Sequence, residues 1–162
     1  MNVTSNYVFF WGGILGNWWK VEEGITWGGK KFPTSEHLFM WLKANLFGDK
    51  MAEDLILEAP DPKTAKYLGR KVQGFSDSAW EEHREQCMMT ALHAKYLSSR
   101  KFREEIWKEE YEGKHFVEAS PYDKIWGIGM KETDPEIENP ENWKGLNLLG
   151  KCLDNLKEKS RN

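Results

Sequence analysis

No stretch of this chain stays apolar for the roughly 20 residues a membrane-spanning helix needs, so a helical membrane protein is not expected. The opening MNVTSNYVFFWGG has neither the basic start nor the apolar core of a signal peptide. Cysteine is scarce: Cys87 and Cys152 are the two present, far apart and in no metal or redox spacing. They read as free thiols in a reducing cytoplasm. Positive charge is not in excess, since 23 Lys and Arg against 26 Asp and Glu give a net charge of −3. A global basic field that gathers nucleic acid is therefore excluded, and only a local patch remains open. There is no nucleophile elbow, Walker loop or dinucleotide fingerprint, and Gly127-Ile128-Gly129 is too short to count as one. Ser120 precedes a proline and lacks an evident His–acid set, which argues against a serine hydrolase. His83 and Cys87 have helical i, i+4 spacing, but His37, His93 and His115 complete no ligand motif with them, so neither metal nor cofactor is expected. Repeats and low-complexity tracts are also missing.

What remains is a chain of 162 residues, 40% hydrophobic and 30% charged, the profile of one globular domain spanning residues 1–162. Its unusual feature is nine tryptophans. Some belong in a core. Others suit the walls of a pocket for a flat ligand, because an aromatic face stacks on bases and rings.

Residues 6–32 alternate aromatics with Gly12-Gly13 and Gly28-Gly29 and read as extended structure and turns. PTSEHLFMWLKANLFG opens a helix capped by Thr34 or Ser35 and ended by Gly48. A second helix covers Lys50 to Glu58. A third starts from Asp61 with Pro62 at its first position and runs to about Lys71. Ser78 and Glu81 make a capping-box pattern for a long helix reaching about Leu97. Another helix starts at Ser98 or Ser99 and ends near Gly113. His115 to Glu118 suits a short strand, and Lys131 to Glu141 an exposed loop. The last helix carries Leu146, Leu149, Leu153 and Leu156 on one face. The expected fold is mainly α, a single multihelical domain with a minor β element.

Three places carry candidate chemistry. The helix from Ser35 is apolar nearly all round, Leu38, Trp41, Leu42 and Leu46 on one side and Phe39, Met40 and Phe47 on another, which predicts burial. Yet it carries Glu36 and Lys43 two turns apart on one face, with Met40 between them. Charges on a buried helix are paired or face a cavity; the alternatives are a structural ion pair and a pocket wall bearing an acid and an amine. The long helix aligns Trp80, Arg84, Met88, Ala91 and Lys95, either a core edge with solvated ends or an aromatic-lined anion site. Lys66, Arg70 and Lys71 add positive charge nearby in sequence. Finally, EASPYDKIWGIG crowds Asp123 beside Trp126 on a segment that cannot be helical; on its own, Asp123 reads as a turn cap.

Taken together, FWGGILGNWW, FPTSEHLFMWLKA, AKYLGRKV, VEASPYDKIWGIG and WKGLNLLGKCL resemble, in order and over nearly the whole chain, the YbiA-like family, also called NADAR for its association with NAD and ADP-ribose. One departure is Gly16, where a Ser commonly precedes the Asn. The resemblance implies the YbiA-like fold and an enzyme that cleaves N-glycosidic bonds, in phosphorylated ribosylamino-pyrimidine intermediates of riboflavin synthesis or in ADP-ribosylated guanine. It implies Glu36, Lys43 and Asp123 as catalytic residues and Asn17, Trp18, Arg70, Trp80, Arg84 and Trp126 as substrate-binding ones. The chemistry is consistent, since cleaving a C1′–N bond builds positive charge on the ribose, which carboxylates stabilise. The expected partner is a small-molecule or ADP-ribosylated base substrate, with transient contact to nucleic acid where the base lies in a strand, and no membrane. The other class left open is a module that binds ADP-ribose or a nucleotide without hydrolysing it.

Overall fold

The computed structural model describes residues 1–161. In chain order its elements are β1 (Asn2–Val3), β2 (Tyr7–Phe10), β3 (Ile25–Trp27), β4 (Lys30–Phe32), α1 (Ser35–Leu46), α2 (Lys50–Leu57), α3 (Pro62–Gly69), α4 (Asp77–Ser98), α5 (Arg100–Ile106), β5 (His115–Glu118) and α6 (Leu148–Lys159). The fold is mainly helical with a small β element, as the pattern predicts. Backbone contacts gather into two units, Asn17–Arg100 and Met1–Gly16 with Lys101–Asn162.

The unit of residues 17–100 is built around α1. Thr34 caps it, its hydroxyl accepting from the His37 N–H. Every residue from Ser35 to Leu42 is buried, because α1 packs on α2, α3 and α4 at once. The all-round apolar pattern thus means what it should, except at Leu46, which is exposed at the helix's C-terminal end. Close approach of α3 to α1 depends on Gly69, where a Cβ would collide with Met40 Sδ. Asp49 and Asp61 cap α2 and α3, each accepting from a backbone N–H three residues on. The β3–β4 hairpin turns at Gly28-Gly29, both at positive φ. The cap of α4 is two residues earlier than the capping-box pattern predicts: Ser76 accepts from the Ala79 N–H, and Ser78 lies inside the helix.

In the other unit, β2 lies between β1, antiparallel, and β5, parallel, although residues 17–100 intervene between β2 and β5 in sequence. Phe9, Val117, Ala119, Ile128, Met130 and Ile137 form its core, with Tyr7 and Trp143 against it. Ile137 is thus a buried anchor in the stretch read as an exposed loop, and Trp143 is tied to it by donating Nε1–H to the Ile137 carbonyl at 2.7 Å. α5 stops at Ile106, short of the predicted Gly113; a 3₁₀ turn at Glu109–Tyr111 separates it from β5. α6 starts at Leu148, so Leu146 lies outside it and is exposed, while Leu149, Leu153 and Leu156 are buried as expected.

The start of α6 explains how the Asp123 segment holds its shape. Asn147 precedes the helix at φ 54 without a side-chain cap. The backbone N–H groups of Asn147, Leu148 and Leu149 donate instead to the carbonyls of Gly127, Ile125 and Trp126. A loop thereby does the capping that a polar side chain normally does. The Asn147 side chain is used elsewhere: it accepts from the Glu118 N–H and donates to the Phe116 carbonyl, satisfying the open side of β5.

Candidate active site

Within residues 17–100, three of the candidate residues, Glu36, Arg70 and Trp80, lie about Lys43. Its Nζ lies 4.7 Å from the centroid of Phe75 and 5.3 Å from that of Trp80. Trp80 in turn packs on Phe39 and Phe47, with centroids 5.4 and 6.5 Å away. Burial pulls the Lys43 ammonium below its ordinary range. Glu36 opposes that shift, Arg70 reinforces it, and Asp77 opposes it. Glu36, Arg70 and Asp77 therefore act on the charge of Lys43, and the Trp80 ring lies beside it. Glu36 itself is buried, and its backbone N–H donates to the Asn17 carbonyl at 3.0 Å.

Asn17 works on the same helix start. Its Oδ1 accepts from the Ser35 hydroxyl at 2.9 Å and its Nδ2 reaches Met88 Sδ at 3.5 Å. Beside Glu36, His37 is fully buried between the Thr34 hydroxyl and the Ala59 carbonyl. A carbonyl only accepts, so Nε2 carries the proton and Nδ1 takes that of Thr34; burial keeps the ring neutral by lowering its pKa. Together Asn17, Thr34, Ser35 and His37 fix the first turn of α1, and with it the backbone that carries Glu36.

Arg84 stands one turn beyond Trp80 on α4, half-buried, with its Nε buried and without a hydrogen-bond partner. Such a donor is costly unless something accepts from it. Arg70 is exposed just past α3. Trp18 is exposed at 47%. At the far end of the α4 stripe, Lys95 is fully buried rather than solvated, and burial lowers its pKa to about 7.

Asp123 and Trp126 belong to the other unit. Asp123 does cap a turn: its Oδ1 accepts from the N–H groups of Ile125 and Trp126 at 2.9 and 2.8 Å. Its own N–H and that of Tyr122 donate to Ser120 Oγ. One carboxylate oxygen is thus committed to the loop and fixes the direction of the other. Gly127 allows this fold-back, since a Cβ there would stand 2.9 Å from the Glu118 carbonyl oxygen and 3.0 Å from that of Asp123. Trp126 is half-buried.

Phe75 escaped the sequence reading, although a signal for it exists. With Ser76 as N-cap, Phe75 is N′ and Trp80 is N4, the two positions of a hydrophobic staple. Placing the cap at Ser78 hides that pair. Asp77 was missed for the same reason.

A family model described as the NADAR domain matches residues 9–161. The chain is 34% identical to N-glycosidase R617 of Acanthamoeba polyphaga mimivirus, with 98% of each chain covered. It is 31% identical to N-glycosidase YbiA of Escherichia coli over 80% of this chain and 71% of that one. It is 37% identical to protein irg-1 of Caenorhabditis elegans over 79% of this chain; the match spans only 60% of irg-1. The NMR structure of E. coli YbiA superimposes with a TM-score of 0.75 at 27% identity, covering 98% of this chain and 86% of that one.

Proposed function

The chain belongs to the NADAR family, and on that premise we propose that it is an N-glycosidase cleaving the C1′–N bond of a ribosylated base. The observation that carries this reading is Lys43, a half-buried amine held over two aromatic rings within the field of the buried Glu36. A module that only binds ADP-ribose or a nucleotide has no use for an amine whose burial favours the neutral, nucleophilic form.

Two substrates suit the acid and amine of Glu36 and Lys43: ADP-ribosyl-guanine and a ribosylamino-pyrimidine phosphate. Both join ribose to base through an exocyclic amine. Such an aminoglycoside opens to its imine, breaking the C1′–O4′ bond. The Lys43 amine then adds to C1′ and the base amine leaves with a proton, forming a lysine Schiff base. Water hydrolyses that imine and returns free Lys43. Glu36 carries the protons, Trp80 stacks on the base, and Arg70, Arg84, Asn17 and Trp18 hold the remainder; for Asp123 and Trp126 a part in the reaction is what their motif suggests. The competing route keeps Lys43 charged as an orienting group while water attacks C1′ directly. Incubating the protein with each substrate and detecting the freed base tests the reading. Release of the base from either one supports it, and tight binding without release from both leaves the binding module.

A further inference from the structure

Phe75 stands on the loop between α3 and α4, and the chain braces that loop on both sides of the ring. The Asp49 carboxylate does two jobs. Its Oδ1 caps α2 by accepting from the Ala52 N–H at 3.0 Å, and its Oδ2 accepts from the Gln73 N–H at 2.8 Å. Gly74 follows at φ 80, where a Cβ would stand 3.2 Å from the Phe47 carbonyl oxygen, so the loop passes close over the end of α1. Ser76 then caps α4. Between these anchors the Phe75 ring packs on Phe47, with centroids 5.3 Å apart. It lies 4.7 Å from Lys43 Nζ, nearer than the Trp80 ring at 5.3 Å. Yet Phe75 is 40% exposed. A staple at the start of α4 asks for a hydrophobic residue at this position, and Leu or Ile would serve it. What a phenyl ring adds is a negative face turned toward a cation.

We propose that Phe75 is a positioning residue for Lys43: its braced ring holds the terminal amine in place as an ammonium, independently of Trp80, and so sets the pH at which the free amine appears. The proposal rests on the N-glycosidase reading for what the amine then does, and on the geometry of the loop for the holding. The two rings have different tasks. Trp80 gives up its face when a base stacks on it, and Phe75 is the ring that stays with the amine. Glu36 on α1, Arg70 just past α3 and Asp77 in the first turn of α4 are the charged groups that act on Lys43. All three are unchanged when the Phe75 ring alone is altered, so a shift in that experiment belongs to the ring face.

The test uses the full chain with phenylalanine carrying one, two or three ring fluorines at position 75. Fluorine drains the negative face and nearly keeps the shape, so the fold stays comparable. Trace acetylation with acetic anhydride, which attacks the free amine, is followed against pH, and Lys43 is read by peptide mass spectrometry. Its midpoint falls with each added fluorine, by about 0.5–1 pH unit over the series. Phe75→Leu lowers it by a similar amount. Phe75→Tyr keeps the ring face and stays within about 0.2 unit of the parent. In a Trp80→Leu background the fluorine series keeps its slope, because the two rings act separately. A midpoint that stays still across the series overturns the proposal. So does a shift in Phe75→Leu that the fluorines do not reproduce, since packing and not the ring face is then responsible. A slope lost in Trp80→Leu overturns it as well, since Phe75 then acts through Trp80. Labelling is read without turnover. A series that moves the midpoint and leaves the pH profile of base release unmoved removes the amine from the reaction and supports the positioning role alone. A still midpoint strikes that role whatever base release does.

Discussion

Asp123 has a structural task visible in its hydrogen bonds and a chemical one proposed from its motif, and two substitutions separate them. Oδ1 accepts from two backbone N–H groups, those of Ile125 and Trp126. Asp123→Ala deletes both bonds. At about 1 kcal/mol per net hydrogen bond the loss is about 2 kcal/mol, which at 2–4 °C per kcal/mol lowers the melting temperature by roughly 4–8 °C. Asp123→Asn keeps an oxygen in the same position and loses only the charge assistance, about half of that. Stability therefore grades from parent to Asn to Ala. Turnover behaves differently if the carboxylate stabilises developing charge at C1′: both variants fall together by about a hundredfold or more, the usual cost of removing such a group. Base release followed by chromatography, with calorimetric melting on the same preparations, reads both quantities. Near-parental turnover in Asp123→Asn, with the expected small drop in melting temperature, would reduce Asp123 to a turn cap and remove it from the reaction.

Glu36→Gln is expected to lower base release by about a hundredfold with the far-UV circular dichroism of the parent, because its backbone stays tied to Asn17; parental turnover would remove Glu36 from the chemistry. Saturating ADP-ribose or a ribosylated base is expected to quench tryptophan fluorescence, and Trp80→Ala to weaken binding by about 1–3 kcal/mol; calorimetry giving an unchanged affinity would end the stacking role. Borohydride added during turnover is expected to leave a sugar adduct on Lys43 in peptide mass spectra, and no adduct together with substantial activity in Lys43→Ala would leave direct water attack. Because the folded environment lowers the Lys43 pKa, the free amine accumulates as pH rises toward a midpoint below the ordinary lysine value. Base release is thus expected to climb with pH up to that midpoint, and a flat profile in a Lys43-dependent enzyme would contradict the amine role.

The helices were legible wherever one local rule settles an end. Asp61 followed by Pro62 marks α3, and the apolar run after Thr34 marks a buried α1. Errors arose where tertiary contacts replace the local rule. The α6 start has no cap signature because loop carbonyls satisfy its N–H groups, so Leu146 was counted as helical. Ser78, with an acid three residues on, fits the capping-box rule; the structure caps α4 with Ser76 instead, which puts Phe75 and Trp80 at the two staple positions. Glu36 and Lys43 were legible as a pair because polar groups on an otherwise apolar helix are conspicuous. Their surroundings were not, since Phe75 and Arg70 reach Lys43 from segments distant in sequence.

The neighbours of Lys43 pull its proton in opposite directions, and that balance decides which chemistry the amine can do. Burial and Arg70 favour the neutral form; Glu36 and Asp77 favour the charged one. The rings of Phe75 and Trp80 also favour the charged form, since an aromatic face attracts an ammonium. On the proposed reading, Trp80 has a second use as a surface for the leaving base. One ring face cannot hold both at once. A base that stacks on Trp80 takes away part of what stabilises the ammonium and, by excluding water, adds to the desolvation that destabilises it. A substrate phosphate held by Arg70 acts the other way, screening the cation that now disfavours charge on Lys43. The covalent route therefore works only if the loss of ring contact and solvent outweighs the arriving phosphate charge. The direct route works if the phosphate wins and Lys43 stays an ammonium.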